Sequence, residues 1–203
     1  MTERFGIDIS GWQPKIDWKA LGASDAVSFV YVKATEGTHY RSKHAVGQAQ
    51  GAASIGLPTG LYHFADPSPD DSPEEEAKHF LGYARELATH GPLMLRPTLD
   101  LEKSSGASPQ RLLDWAERWV RVVEQETGQV SVLYTYESYL KQHLSKAGPG
   151  LLRCPLWIAK YSKTAPKTKP WITWAMWQYT QKGKVAGIPG QVDCNRGASP
   201  IIA

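Results

Sequence analysis

Leu95-Arg96-Pro97-Thr98-Leu99-Asp100-Leu101-Glu102-Lys103 is the stretch from which the fold of this chain is read. Apolar and polar residues alternate along it, and two carboxylates close it. In a β-strand, residues i and i+2 point to the same face, roughly 6.5 Å apart. Asp100 and Glu102 therefore project side by side where the strand gives way to the loop Ser104-Ser105-Gly106. Two crowded acids raise each other's proton affinity, which is how a protein keeps a protonated carboxyl near neutral pH. A lone Asp-x-Glu can also be a solvated strand end, so its neighbours decide its meaning.

Those neighbours alternate between strand-like and helix-like segments. Phe5–Ser10, Ala26–Ala34, Gly60–Ala65, Val130–Tyr134, Pro155–Ala159, Trp174–Tyr179 and Gly190–Asn195 read as further strands, giving eight in all. Lys43–Ile55 has helical spacing and stops at Gly56. Ser72-Pro73 with Glu75 reads as a capping box opening a helix with the stripe Ala77, Phe80, Leu81, Ala84, Leu87, Ala88. Ser108-Pro109 opens another, with the stripe Leu112, Leu113, Ala116, Trp119, Val120, Val123, and a shorter helix is expected near 137–146. After the sixth strand the segments are too short and too rich in Pro and Gly for full helices. The pattern predicts one α/β domain over residues 1–203, an irregular, mostly parallel (β/α) TIM-like barrel whose later helices are missing or short. An open doubly wound sheet is the alternative, but no Gly-rich phosphate loop follows any strand.

Composition narrows the chemistry. The 203 residues suit one core, and the formal charge of +3 is built from interspersed charges, with no nucleic-acid footprint. No apolar run reaches membrane-spanning length, so no membrane insertion is expected. Met1–Phe5 lacks a signal peptide's apolar core. Eight Trp and nine Tyr against four Phe favour rings that can stack on sugars as well as fill a core. Cys154 and Cys194 are read as free thiols. Six scattered His without zinc spacing, and no G-x-S-x-G, leave no expected cofactor or metal and no acyl-transfer motif.

In a β/α barrel the working side chains come from the strands' C-terminal ends. Those ends supply Asp8, Glu36, His63, Phe64, Asp66, Asp100, Glu102, Tyr134, Tyr136, Lys160, Tyr161, Gln178, Tyr179, Asp193 and Asn195. A mouth of carboxylates and aromatic faces without clustered cations has the profile of a carbohydrate site.

The residues also resemble a known family. Gly6-Ile7-Asp8-Ile9-Ser10 with Trp12-Gln13, Ile16-Asp17-Trp18, and Phe29 through Gly37 are similar to the opening of the glycoside hydrolase family 25 (Chalaropsis-type) lysozymes. Gly60–Phe64, Asp100-Leu101-Glu102, Trp157-Ile158-Ala159 with Tyr161, Trp177-Gln178-Tyr179, and Val192-Asp193 with Asn195 extend the likeness over the chain in order. The resemblance implies an N-acetylmuramidase with a degenerate barrel, cutting the β-1,4 bond after N-acetylmuramic acid in peptidoglycan. Two departures spare the acids: Arg41-Ser42 stand where the family usually carries an Asp, and Cys194 follows the last-strand Asp where an aliphatic residue is common.

On this reading Glu102 is the general acid, and Asp100 either raises its pKa or orients the substrate's N-acetyl group. A retaining nucleophile, a water-activating base and attack by the acetamido oxygen all stay open for the second step. Asp8 and Asp193, from neighbouring first and last strands, complete the catalytic set. Glu36, Tyr62, Phe64, Tyr134, Trp157, Tyr161, Trp177 and Gln178 are the candidates for substrate binding. Trp12 and Trp18 are assigned to structure, and His63 to a buried hydrogen bond. The rival readings are a catalytically silent glycan-binding module and a chitinase-like hydrolase. The expected partner is peptidoglycan, met by a monomer. The wall is to be reached in the periplasm or outside the cell by a holin-type or secretion-apparatus route, with no wall-binding repeat after Asn195 to assist.

Overall fold

The structure, a computed structural model, describes residues 4–197; residues 1–3, and with them most of the leader reading, lie outside, as does the tail 198–203. Its first half runs β1 (Arg4–Ile9), α1 (Trp18–Ala23), β2 (Phe29–Glu36), β3 (Tyr40–Arg41), α2 (Ala45–Ser54), β4 (Thr59–Phe64), α3 (Pro73–Ala88) and β5 (Thr98–Asp100). The second half runs α4 (Pro109–Thr127), β6 (Val132–Tyr136), α5 (Glu137–His143), α6 (Pro149–Leu152), β7 (Leu156–Ala159), β8 (Met176–Gly183) and β9 (Val192–Gly197). Eight of the strands close a barrel in the order β1-β2-β4-β5-β6-β7-β8-β9, and the two-residue β3 hangs on the edge of β2.

Neighbouring barrel strands from β1 to β8 are parallel, and β9 is antiparallel to both β8 and β1. Parallel strands need a crossover, and residues 184–191 are too few to make one, so β9 returns as a hairpin partner. The expected loss of late helices holds: between β7 and β8 the chain crosses back without a helix. The Trp171 indole N–H to Cys154 carbonyl bond, 3.0 Å, ties that crossing to the barrel.

The two longest helices, α3 and α4, begin where their caps predict. Ser72 accepts from the Glu75 amide and Ser108 from the Arg111 amide, each followed by Pro at the helix start. The capping box is only half built: the Ser72 hydroxyl accepts from the Glu75 amide and donates to Glu74, but the Glu75 carboxylate takes no bond from the Ser72 amide. Gly128, at φ +70°, ends α4 in the left-handed region. Arg41, the departure in the motif, pairs across the surface with Glu86. Both cysteines are free and buried.

Strand alternation sorts every side chain into one of two cores. Ile7, Ile9, Val30, Val32, Leu61, Leu99, Leu133, Leu156 and Ile158 face outward onto the helices. Phe29, Tyr31, Val132, Tyr134, Trp157 and Met176 fill the barrel interior. Two glycines make room for the inner rings. A Cβ on Gly6 would lie 2.1 Å from the Phe29 ring, and one on Gly60 2.4 Å from the Tyr31 ring and 2.9 Å from Leu95 Cβ. Above this plug the interior turns polar, and the site lies there.

The expected strand 95–103 is shorter than its alternation suggests. Only Thr98–Asp100 pair on both sides; Leu101 adds one bond to the Tyr134 carbonyl, and the chain then leaves the sheet. Glu102 consequently stands above the rim instead of in the wall.

Gly60→Ala is expected to destabilise the fold by about 1–3 kcal/mol, the usual cost of overpacking a filled core. Urea unfolding of both proteins checks this.

Candidate active site

The mouth of the barrel holds a cleft of about 370 Å³. Asp8, Tyr62, Phe64, Asp100, Glu102, Tyr134, Trp157, Tyr161, Gln178 and Asp193 line it, joined by Ser10, Trp12, Lys33 and Gln181. All four expected acids meet there, although Asp8 and Asp193 are 185 positions apart in the chain.

Asp8 is the most firmly held. One of its carboxylate oxygens accepts from the Asn195 amide at 2.7 Å and from the Gln178 amide at 3.0 Å. Each amide is oriented by what its oxygen accepts. The Gln178 oxygen takes the hydroxyls of Tyr134 (3.1 Å) and Tyr161 (2.9 Å), and the Asn195 oxygen takes the Trp157 indole N–H (2.8 Å). Three aromatic residues of the wall thereby fix the acid's position. Burial raises the Asp8 pKa to about 6, with the two amide bonds pulling against it.

Asp193 is the register partner of Asp8 across β1 and β9. It reaches the mouth because β9 is reversed, so the second residue of this strand, not its end, stands at the rim. The sequence reading treated 190–195 as one more strand ending at the mouth; in the structure Asn195 lies deeper, beneath Asp8. Burial, with Asp8 and Glu102 nearby, raises Asp193 to about 8.

Asp100 faces this pair from β5. It is raised well above the ordinary carboxylate range by burial and by Glu102, with Lys33 acting against both. Its Oδ1 is buried without a hydrogen-bond partner. Glu102 is raised by burial and by Asp8, again opposed by Lys33. Tyr62 and Tyr134, buried among these acids, keep their hydroxyls protonated. The mouth thus holds several carboxyls that bind protons more tightly than in water, which is the condition for acid catalysis near neutral pH.

Two expected binders lie outside the cleft. Trp177 is buried on the outer surface of the barrel, its indole N–H on the Lys160 carbonyl (2.8 Å) and its ring against Arg196. Residues i and i+1 of a strand face opposite ways, and Gln178 takes the inward place. Glu36 does not line the cleft either; it pairs with Lys33 at 2.7 Å. The register of β2 slips between Lys33 and Thr35, which brings Lys33 and Glu36 together.

Ser10, Trp12, Lys33 and Gln181 are the cleft residues that sequence reasoning missed. Lys33 sits on the inward face set by Phe29 and Tyr31, so strand parity could have found it. Its ammonium lies 4.6 Å from the centre of the Phe64 ring. Trp12, assigned to structure, is 89% exposed on the cleft rim. Trp18 is partly buried against the core, as expected.

His63 faces outward from β4, with Nδ1 2.8 Å from the Thr35 hydroxyl and Nε2 2.6 Å from Glu76. Burial lowers the imidazole pKa to about 3 and raises Glu76 to about 8, so the pair is held uncharged near pH 7. This is the buried, structural role expected of it. Among the described residues, no three His, Cys, Asp or Glu are arranged to hold a metal ion.

The family described as glycosyl hydrolases family 25 matches residues 7–188. The chain belongs to that family. Lysozyme M1 of Streptomyces globisporus is 31% identical over 94% of this chain, which spans 66% of that protein. Among solved structures, the bacterial lysozyme from Streptomyces coelicolor superposes with a TM-score of 0.83 at 29% identity, covering 98% of this chain and 94% of that one. A muramidase from Acremonium alcalophilum gives 0.82 at 31% identity, covering 97% and 94%. The family 25 chain is thus a glycoside hydrolase with the family's barrel.

The raised carboxyls carry a stability consequence. A folded-state pKa of about 8 for Asp193 means that, as pH climbs from 3.8, the unfolded chain releases this proton while the folded chain retains it. The group therefore lowers stability progressively between about pH 4 and 8. Asp193→Asn is expected to raise the melting temperature at pH 7 and to leave it unchanged below pH 4; calorimetry at the two pH values checks the sign.

Proposed function

We propose that this family 25 hydrolase is a peptidoglycan muramidase, cutting the β-1,4 bond between N-acetylmuramic acid and N-acetylglucosamine, with Glu102 as general acid. The observation that carries the reading is the desolvated carboxyl cluster at the mouth: Asp8, Asp100, Glu102 and Asp193 hold raised pKa values in one cleft walled by Tyr62, Phe64, Tyr134, Trp157 and Tyr161. A silent glycan-binding module has no need of acids whose ionisation costs stability.

Glu102 delivers its proton to the leaving O4 as the C1–O4 bond breaks. Asp100, whose Oδ1 has no protein partner, takes a hydrogen bond from the acetamido N–H. Its high proton affinity makes the acetamido oxygen the better nucleophile towards C1. The Glu102 carboxylate left behind then removes a proton from the water that opens the cyclic intermediate, restoring the acid. Burial and the nearby Asp8 carboxylate keep Glu102 protonated beforehand. Lys33 acts against both, so the cluster is not protonated throughout.

The substrate class agrees with what the relatives are called, lysozymes and muramidases. The charge of the chain suits an anionic wall. Residues 138–192 carry nine Lys or Arg and no Asp or Glu, so the charges are less evenly mixed along the chain than its overall balance implies. The barrel domain acts as a monomer on the cell wall, in the periplasm or outside the cell, reaching it through a holin or a secretion apparatus. Among the described residues, no helix is long and apolar enough to cross a membrane.

Glu102→Gln preserves shape and removes the proton. It is expected to lower turnover of purified sacculi by about 10²–10⁴, the range general acid catalysis supplies. Mass spectrometry of the digest identifies the bond: reducing-end muramic acid supports the reading, and chitin cleavage or an active Glu102→Gln protein overturns it.

A further inference from the structure

Next to the catalytic cleft lies a second cleft of about 590 Å³ that no step of the proposed reaction uses. The two share one wall. Ser10 and Trp12 line the first, and Gln13, Pro14 and Lys15 of the same turn line the second. Trp12, on the rim of the first, is followed directly by Gln13 in the wall of the second.

The turn is held rigidly. The Gln13 amide donates to the Ser10 carbonyl (3.1 Å), and the Gln13 side chain accepts from the Ser10 amide (3.1 Å) and donates to the Gln191 carbonyl (3.1 Å). From α2, the buried Gln48 side chain donates to the carbonyls of Ser10 (2.8 Å) and Gln13 (3.1 Å). Two buried glutamines thus fix the backbone from below, and the side chain they present is a nearly naked indole. Such preorganisation lowers the cost of binding, because the loop does not have to be ordered by the ligand. A flat apolar face with a polar edge suits the face of a sugar ring.

Beyond this turn, Trp18 lines the second cleft with its indole nitrogen packed close over Gly51. Lys15 and Lys43 line it as well, and among the described residues neither has an ion-pair partner there.

We propose that a long glycan strand bound in the catalytic cleft continues over Trp12 into this second cleft, where Lys15 and Lys43 take the carboxylates of its peptide substituents. The proposal rests on the muramidase reading and adds to it a preference for long, peptide-bearing strands over short oligosaccharides. Catalysis stays in the first cleft; the second supplies affinity far from the reacting bond.

The test compares wild type, Trp12→Ala and the Lys15→Ala/Lys43→Ala double variant on two probes, a peptide-free tetrasaccharide and uncross-linked, peptide-bearing strands of about ten disaccharides. Wild type is expected to show the higher kcat/KM on the long strands. Trp12→Ala is expected to lose about tenfold there through KM, the worth of one stacked ring. The double variant is expected to lose about three- to tenfold, with the difference from wild type shrinking as salt rises. Titration calorimetry of the same long strands onto Glu102→Gln, with and without the lysine substitutions, reads the second cleft without turnover. A long-to-short ratio and a Glu102→Gln affinity that both ignore the substitutions overturn the proposal. If wild type cleaves neither probe, the muramidase reading fails on its own, and the calorimetry still decides whether the second cleft holds the strand.

Discussion

The Asp8 carboxylate, gripped by the side-chain amides of Asn195 and Gln178, is the contact on which the organisation of the mouth depends. It binds β1 to β9 and β8 at the seam where the barrel closes. The same two amides are oriented by Tyr134, Tyr161 and Trp157, so closing the barrel and shaping the cleft are one arrangement. An acid buried without such donors would simply stay protonated. Here two amides restore part of what burial removes, and Asp8 titrates near 6 instead of far higher.

That contact needs β9 to run backwards. One more crossover would have placed the end of the last strand at the rim. The hairpin return puts its beginning there, with Asp193 beside Asp8 and Asn195 one inward position below. The degenerate second half of the barrel is therefore not a mere loss of helices. Dispensing with the last crossover brings a fourth carboxylate into the mouth. Opposite, β5 breaks off after three residues, which lifts Glu102 out of the wall and over the cleft while Asp100 stays in it.

Strand parity links the aromatic plug, the acids and the outer shell. Inward positions hold Phe29, Tyr31, Lys33, Tyr62, Asp100, Tyr134, Trp157 and Gln178; outward positions hold the contacts with α3 and α4, including His63 stacked on Trp119. The slip in β2 breaks parity beside the cleft, pairs Lys33 with Glu36 and so keeps a cation at the edge of the acid cluster.

Much of this was legible in the sequence because it is local. Alternation marked the strands, Ser-Pro pairs marked the starts of α3 and α4, and the order of strands and helices fixed the barrel class. Acids at strand ends named Asp8, Asp100 and Glu102, since in this architecture strand ends converge; Asp193 was named by the same rule but reaches the mouth from the start of a reversed strand. Parity would also have excluded Trp177 and admitted Lys33, had it been applied to each strand in turn. Three-dimensional packing alone decided the rest. The direction of β9 depends on how residues 184–191 close, the β2 slip depends on its neighbours, and the exposure of Trp12 depends on Gln48 and Gln191 arriving from far along the chain. Burial, which sets the proton affinity of each acid, belongs to the assembled barrel, because no residue carries its own desolvation.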